Sequence, residues 1–285
     1  MQTVEIWSGN IHTGEGHSSK GNQLKWQEDG WWYKADAFGY ESLAETVSSQ
    51  ILQFSNIETA VLYEPVMIQY HGKTFRGCCS KNFRGGQEEL VTLERLYRAY
   101  TGFSLARELA HFADTGRKIQ HIDEFVGNVT GLEEFGKYLT VMLEIDAFFL
   151  NEDRHTNNIA LIYDTIQKEY RLCPYFDMGL SLFSDTREAY PLRMGFSACR
   201  AEIQAKPFSR DFDEQMDAAN ERYGCHLKFE FKPHEILSIL ERLKEKYGIQ
   251  SNGSAEVSGY QYEEIERVEE TLCSQARKYQ YMFLR

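Results

Sequence analysis

The pattern of apolar and polar positions divides the chain into a mixed first part and a mainly helical second part. Residues 8–25 (SGNIHTGEGHSSKGNQLK) are almost free of apolar side chains and predict a loop, and WQEDGWWYKADAF then turns aromatic around Asp29-Gly30, as a strand hairpin does. From Glu41 to Phe54 the apolar positions Leu43, Val47, Ile51 and Phe54 recur at helical spacing, and Ala60–Tyr70 returns to a strand-like pattern. After the Gly-rich stretch at 83–87, ELVTLERLYRAY predicts a helix. GLEEFGKYLTVMLEIDAFFL at 131–150 predicts another, with Phe135, Tyr138, Leu139, Met142, Ile145 and Phe149 on one side. Two more amphipathic segments carry Ile236, Ile239, Leu240, Leu243 and Tyr247, and Ile265, Val268, Leu272, Ala276 and Tyr279. One exception interrupts the helices: NIALIYDTIQKEYRLCPYFD reads as a β-hairpin turning at Thr165–Lys168. SNGSAEVSG at 251–259 is the best late loop, and there is no internal repeat.

Composition narrows the classes. With 42% hydrophobic residues and 5 prolines in 285 residues, the chain can bury a core and is not of disordered composition. A formal charge of −12 argues against a nucleic-acid surface as the main partner. No apolar run approaches the length of a membrane span, and the start, MQTVEIWSGN, has no basic region followed by an apolar one. The six cysteines show no CxxC and no regular spacing, so they read as reduced thiols and the expected compartment is the cytoplasm. The histidines have no spacing suited to zinc.

The densest chemistry lies in FFLNEDRHTNNIALI, where a buried-looking helix gives way to Asn151, Glu152, Asp153, Arg154, His155, Asn157 and Asn158 before an apolar strand. A carboxylate followed five residues later by a carboxamide, Asp153 and Asn158, suits one group at a nucleophile and the other on a metal ion; a solvated capping loop is the plain alternative. Nineteen residues on, PYFDMGLSL places Asp177 between a strand end and a glycine, so one hairpin brings it back to the same edge. A hard divalent cation bridging phosphate oxygens takes one or two such oxygen ligands.

Together these stretches resemble the bacterial HipA-like serine/threonine protein kinases, a group that includes the CtkA-type kinases. The family's catalytic loop has an Asp, a His two residues on and an Asn five residues on, as in Asp153-Arg154-His155-Thr156-Asn157-Asn158, then a hairpin and a DFG-like Asp, here in Phe176-Asp177-Met178-Gly179. The resemblance spans about residues 18–215, ending at Lys206-Pro207-Phe208-Ser209. It implies an α+β, bilobal protein-kinase-like fold, with a small strand-rich N-lobe over 1–80 and a larger, mainly helical C-lobe over 81–285. It implies ATP and Mg²⁺ as cofactors, Asp153 as catalytic base, and Asn158 and Asp177 as metal ligands. A strand lysine, Lys34, would bind the α/β-phosphates and be fixed by a helix glutamate, Glu45, for which Glu41 competes. His155 is expected to hold the shape of the catalytic loop.

The resemblance further implies that Ser18, Ser19, Lys20 and Gly21 cover the phosphates, with autophosphorylation at Ser18 or Ser19. It puts the interlobe hinge at Arg76–Phe83, so that adenine meets backbone groups near Cys78, Cys79 and Ser80; the two thiols are expected to be packed rather than nucleophilic. Arg154 departs from the acidic or small residue common at its position. The chain is also short at its start, without room for the extra N-terminal subdomain of full-length HipA toxins, which points to a compact kinase core. The expected partner is a protein with a Ser or Thr acceptor, with an antitoxin or regulatory partner possible, no membrane, nucleic acid unlikely, and secretion into a host left open. Two other classes stay open: a nucleotide-binding pseudokinase acting as an interaction module, and a metal-dependent hydrolase using the same carboxylates.

Overall fold

The computed structural model describes residues 1–6, 23–249 and 260–284; Ser18, Ser19, Lys20, Gly21 and the 251–259 loop lie outside the described residues. Strands β1 (Gln2–Glu5), β2 (Lys25–Glu28), β3 (Trp31–Ala35), β4 (Glu64–Tyr70) and β5 (Lys73–Lys81) form one sheet in the order β1-β4-β5-β3-β2, and α1 (Glu41–Leu52) packs on it. The β2–β3 turn is Asp29-Gly30, both at positive φ (49° and 80°), the mirror-image turn that matches strand twist. Alternation along the strands sorts the side chains onto two faces. Trp26, Tyr33, Ala35, Val66, Ile68 and Cys79 pack together on one face, while Lys34 and Cys78, paired across β3 and β5, lie on the other, beneath α1.

The second part begins with a difference from the sequence pattern. Glu88–Thr92 is a strand, β6, and the helix α2 starts only at Leu93 and runs to Thr101. The physical reason is remote: β6 pairs residue by residue with Asp164–Ala160 of β7 (Ala160–Asp164), which pairs in turn with β8 (Glu169–Leu172). Thr92 then caps α2, its Oγ1 accepting the Arg95 N–H at 3.2 Å. The expected hairpin at 158–177 is present, with its turn at Thr165–Lys168. Helices α3 (Leu105–Leu109), α4 (Thr115–Thr130), α5 (Phe135–Phe149), α6 (Phe196–Glu202), α7 (Phe212–Tyr223), α8 (Ile236–Tyr247) and α9 (Tyr262–Lys278) complete the larger part around one continuous core. The division expected at 80/81 falls inside β5; the chain passes between the two parts over 82–87. Among the described residues no helix is long and apolar enough to cross a membrane, and all six cysteines are free.

The C-terminal helices return to the first part. All twelve residues of α1 are buried, because the sheet covers it on one side and α8 on another. At its N-terminal end Arg76 of β5 donates to Glu264 of α9 at 2.7 Å and to the Gly39 carbonyl at 2.6 Å, and its guanidinium lies 5.1 Å from the centre of the Tyr260 ring. Tyr260 shares a 2.7 Å hydrogen bond with Ser42, and Gln50 donates to Tyr247 at 2.6 Å.

Two predictions follow from this clamp. Replacing Arg76 by Ala leaves the buried Glu264 carboxylate without its cation and is expected to cost about 3 kcal/mol in urea unfolding. Asp36 accepts the Ser42 N–H at 2.6 Å and faces Arg76 at 3.3 Å; burial, reinforced by Glu41 and opposed by Arg76, pushes its carboxyl up to about 7. Because this folded value lies above the ordinary carboxylate value, the group favours the fold most at low pH and that contribution is lost as pH rises through about 7. Wild type should therefore lose stability relative to Asp36→Asn between pH 4 and pH 7, in paired urea titrations, and the gap should level off above that range.

Candidate active site

The site is built where α5 ends. Leu150 adopts a left-handed conformation (φ 57°) and turns the chain out of the helix into the polar run 151–158, which leads into β7. A bidentate ion pair underneath organises this run. Asp146, fully buried in the last turn of α5, accepts from Arg154 Nε at 2.8 Å and Nη2 at 3.0 Å, while Arg154 Nη1 donates to the carbonyls of Asn158 (2.9 Å) and Phe176 (3.1 Å). Burial raises the Asp146 carboxyl, and Arg154 opposes that rise. Asn151 donates to Asp146 at 2.9 Å and accepts the Asp153 N–H at 3.2 Å. Arg154 is thus an internal clamp, in place of the acidic or small residue that the resemblance led one to expect.

The loop then closes on itself. His155 and Asn158 donate their backbone N–H groups to the carbonyls of Asp153 and His155, each at 2.8 Å, and Asn158 Nδ2 donates to the Asp153 carbonyl at 2.8 Å and reaches its carboxylate at 3.3 Å. His155 Nδ1 accepts the Asn157 N–H at 3.2 Å, which places the proton of a neutral ring on Nε2, 3.8 Å from Asp153. Burial lowers the imidazole value, more than Asp153 raises it. That geometry fits a loop-shaping histidine.

The lysine cluster meets this loop from the sheet. Lys34 on β3 makes a short contact to Glu45 of α1 and donates to Asp177 at 2.7 Å, with the Tyr63 ring centred 4.9 Å away. Glu45 spends its other oxygen on the Met178 N–H at 2.9 Å. Glu41 does not compete: it accepts the N–H groups of Ala37, Phe38 and Gly39 at the start of α1. Lys25, beside Lys34 in the β2–β3 register, stands 4.0 Å from Asp177. Burial pushes Asp177 upward, but Lys25 and Lys34 outweigh it and hold the carboxyl far below its usual range, so it is an anion. Lys34 is likewise held charged, its burial outweighed by Asp177 and Glu45. Asp177 sits at φ 62°, a left-handed conformation unusual for a non-glycine residue at a strand exit.

The hinge expectation needs correction. Cys78, Cys79 and Ser80 are not in the lobe connection but within β5, where Cys78 lies between Lys34 and Pro65 and Cys79 between Tyr33 and Glu64. Cys79 points to the sheet face away from Lys34, so its side chain takes no part in the cleft. Cys78 sits in a small apolar group with Val61 and Tyr63, flanked by Phe83 and Phe176, whose ring centres are 5.8 Å apart. β4 begins opposite Cys79, so Ser80 and Lys81 pair with β3 alone and lead into Asn82 and Phe83. Both thiols are buried and burial pushes them up, Cys79 to about 12, as packed thiols require.

Sequence reasoning missed Asp146, Tyr63, the approach of Lys25 to Asp177 and the role of Arg154. The signal for the first was available: Glu144 and Asp146 are carboxylates in an otherwise apolar helix, and Glu144 accepts the backbone N–H groups of His226 and Leu227 at 3.0 and 2.8 Å. The clamp yields a test. Arg154→Met leaves Asp146 buried without a counter-charge and is expected to cost about 3–5 kcal/mol in chemical denaturation. The double variant Asp146→Leu/Arg154→Met should recover most of that loss, because no lone charge remains; equal destabilisation of the two variants would count against the clamp.

No family model and no curated protein sequence matches the chain. Solved structures do. The proinflammatory kinase CtkA of Helicobacter pylori superposes with a TM-score of 0.59 at 15% identity, covering 97% of this chain and 94% of that one. HipA of Shewanella oneidensis MR-1, solved as a toxin–antitoxin system with HipB and operator DNA, superposes with a TM-score of 0.50 at 12% identity, covering 99% of this chain and 68% of that one. That complex contains DNA, so the likeness lends no support to the expectation that nucleic acid is an unlikely partner. With its strand-rich part, its helical part and the Lys34, Asp153 and Asp177 side chains gathered where the two meet, the chain has the bilobal α+β fold of the HipA-like and CtkA-type kinases.

Proposed function

We propose that the chain is an ATP-dependent protein kinase that transfers the γ-phosphoryl group to a Ser or Thr hydroxyl. The observation that carries this reading is the closed charge cluster Lys34–Glu45–Asp177 beside the Asp153–Asn158 loop. Lys34, held by Glu45, binds the α- and β-phosphates as a point charge. Asp153 orients the acceptor hydroxyl and takes its proton, and His155 keeps the loop in shape.

Asn158 and Asp177 are the residues that would hold Mg²⁺. Among the described residues no group of three or more His, Cys, Asp or Glu side chains converges as a cage. One carboxylate and one carboxamide fit an ion that takes its remaining ligands from phosphates and water. That ion, when bound, neutralises charge on the phosphate oxygens. Ser18, Ser19, Lys20 and Gly21 form the phosphate cover in this reading, with Ser18 or Ser19 as the site of autophosphorylation, and adenine lies against the backbone beyond Ser80. The likeness to HipA, solved with HipB, supports a search for a regulatory partner of this chain.

The test is label transfer from γ-labelled ATP with Mg²⁺ to the protein itself and to a cell lysate. Asp153→Ala is expected to lower the rate at least about 10²-fold, and Asp177→Ala and Asn158→Ala to abolish transfer. Lys34→Met should raise the KM for ATP as well. ATP binding by wild type without any transfer would favour a nucleotide-binding interaction module instead.

A further inference from the structure

The two oxygens of the Asp153 carboxylate meet different neighbours. Oδ2 faces Asn158 Nδ2 at 3.3 Å and His155 Nε2 at 3.8 Å, both within the loop. Oδ1 faces the ammonium of Lys206 at 3.6 Å, which arrives from the segment after α6. Arg154, the cation next to Asp153 in sequence, is turned inward onto Asp146, and Lys25 and Lys34 face Asp177. Among the described residues, Lys206 thus brings a positive charge to the proton-accepting group from a distant part of the chain.

That segment is anchored. Ala205 donates its N–H to the Arg210 carbonyl at 2.9 Å, Phe208 is buried in the core, and Lys118 donates to the Phe208 carbonyl at 2.7 Å. The Lys206 side chain itself is 38% exposed. It forms one wall of a cavity of about 470 Å³ whose other walls include Glu152, Tyr190, Met194 and Glu202. Tyr190 donates to Glu152 at 2.7 Å, which fixes the wall adjoining Asp153. The cavity opens against Glu152 and Lys206, the sequence neighbour and the ion-pair partner of Asp153, and is of the size an acceptor side chain and its flanking backbone require.

We propose, on the basis of the kinase reading above, that Lys206 is a catalytic residue on the acceptor side of the transfer and that this cavity receives the acceptor. A hydroxyl that gives its proton to Asp153 must lie about 2.6–3.2 Å from a carboxylate oxygen, and the phosphorus it attacks lies about 3–3.5 Å further on. An ammonium 3.6 Å from that same carboxylate, on a four-carbon flexible stem, reaches the γ-phosphoryl oxygens by rotation alone. In the step, the acceptor O–H proton passes to Asp153 and the hydroxyl oxygen forms the new bond to the γ-phosphorus. The bond from that phosphorus to the β–γ bridging oxygen breaks, its electron pair leaving with ADP. Lys206 donates an N–H to an equatorial oxygen throughout, so that the developing charge meets a cation. Asp153 returns its proton to solvent.

The experiment compares wild type, Lys206→Met and Lys206→Arg for label transfer from γ-labelled ATP with Mg²⁺ into the protein itself and into a mixture of Ser/Thr peptides. Lys206→Met is expected to lower the rate at saturating ATP about 10²-fold, while the KM for ATP stays within about twofold and the melting temperature is unchanged. Lys206→Arg, which keeps the charge, should recover to within about tenfold of wild type. An unchanged rate in Lys206→Met overturns the inference. So does an equal loss in both variants accompanied by a lowered melting temperature, which would mark a structural residue. Failure of wild type to transfer label anywhere while still binding ATP would instead fall on the kinase reading, and the inference would fall with it.

Discussion

The arrangement of the cleft depends on one buried ion pair, Asp146 with Arg154. A guanidinium has five donors in a rigid fork, and here they are divided between a carboxylate at the end of α5 and two carbonyls, one closing the polar loop and one preceding Asp177. Three stretches of chain are therefore referred to a single planar group. A lysine would supply the charge without the fork and could not fix all three. Buried pairs of this kind add little net stability, because desolvation offsets most of the attraction. The consequence is geometric: Asp153, Asn158 and Asp177 hang from backbone that cannot drift independently.

The second constraint is electrostatic and couples α1 to the same point. Glu45 and Asp177 are two carboxylates that share Lys34, and in the absence of that ammonium they would repel across a poorly solvated gap. Since Glu45 also accepts the Met178 N–H, a shift of α1 would break contacts to the lysine and to the backbone after Asp177 together. The C-terminal helices oppose such a shift from behind. Arg76–Glu264, Ser42–Tyr260 and Gln50–Tyr247 tie α9, the segment leading into it and α8 to the helix and its approach. The chain thus supplies its own cover on the outer side of α1.

What could be read from sequence was what is local. Asp153 and Asn158 lie within one loop and Asp177 follows after one hairpin, so their spacing brought a polar cluster into view, and the resemblance to the HipA-like kinases then pointed to Lys34 and Glu45, eleven residues apart. The hairpin turn and the extent of α8 were equally legible from period and turn residues. What failed depended on remote partners. Glu89–Thr92 reads as the first turn of a helix until β7, about seventy residues later, pairs with it. Cys78 and Cys79 looked like a connection because nothing local shows that β5 is the central strand, held between β4 and β3. The polar density around Arg154 drew attention to the loop, but its partners at Asp146 and Phe176 lie on either side of it in sequence, and only the fold reveals that it points inward.

Net charge misleads in the same way. A chain at −12 is a poor match for a polyanion, yet the cleft gathers Lys25, Lys34 and Lys206 around two carboxylates. Fields fall off within about 10 Å at ordinary salt, so a phosphate group in the cleft responds to these few side chains and little to the acidic exterior. Lys25 and Lys34 face Asp177 and Lys206 faces Asp153; with Glu45, which also holds Lys34, three ammonium groups meet three carboxylates and little charge is left uncompensated. On the kinase reading, a phosphorylated ligand entering with its cation would exchange partners rather than add charge, Asp177 then being the residue that would hold the cation and Lys34 the one that would hold the phosphate. On that reading, such an exchange would keep the local charge nearly constant.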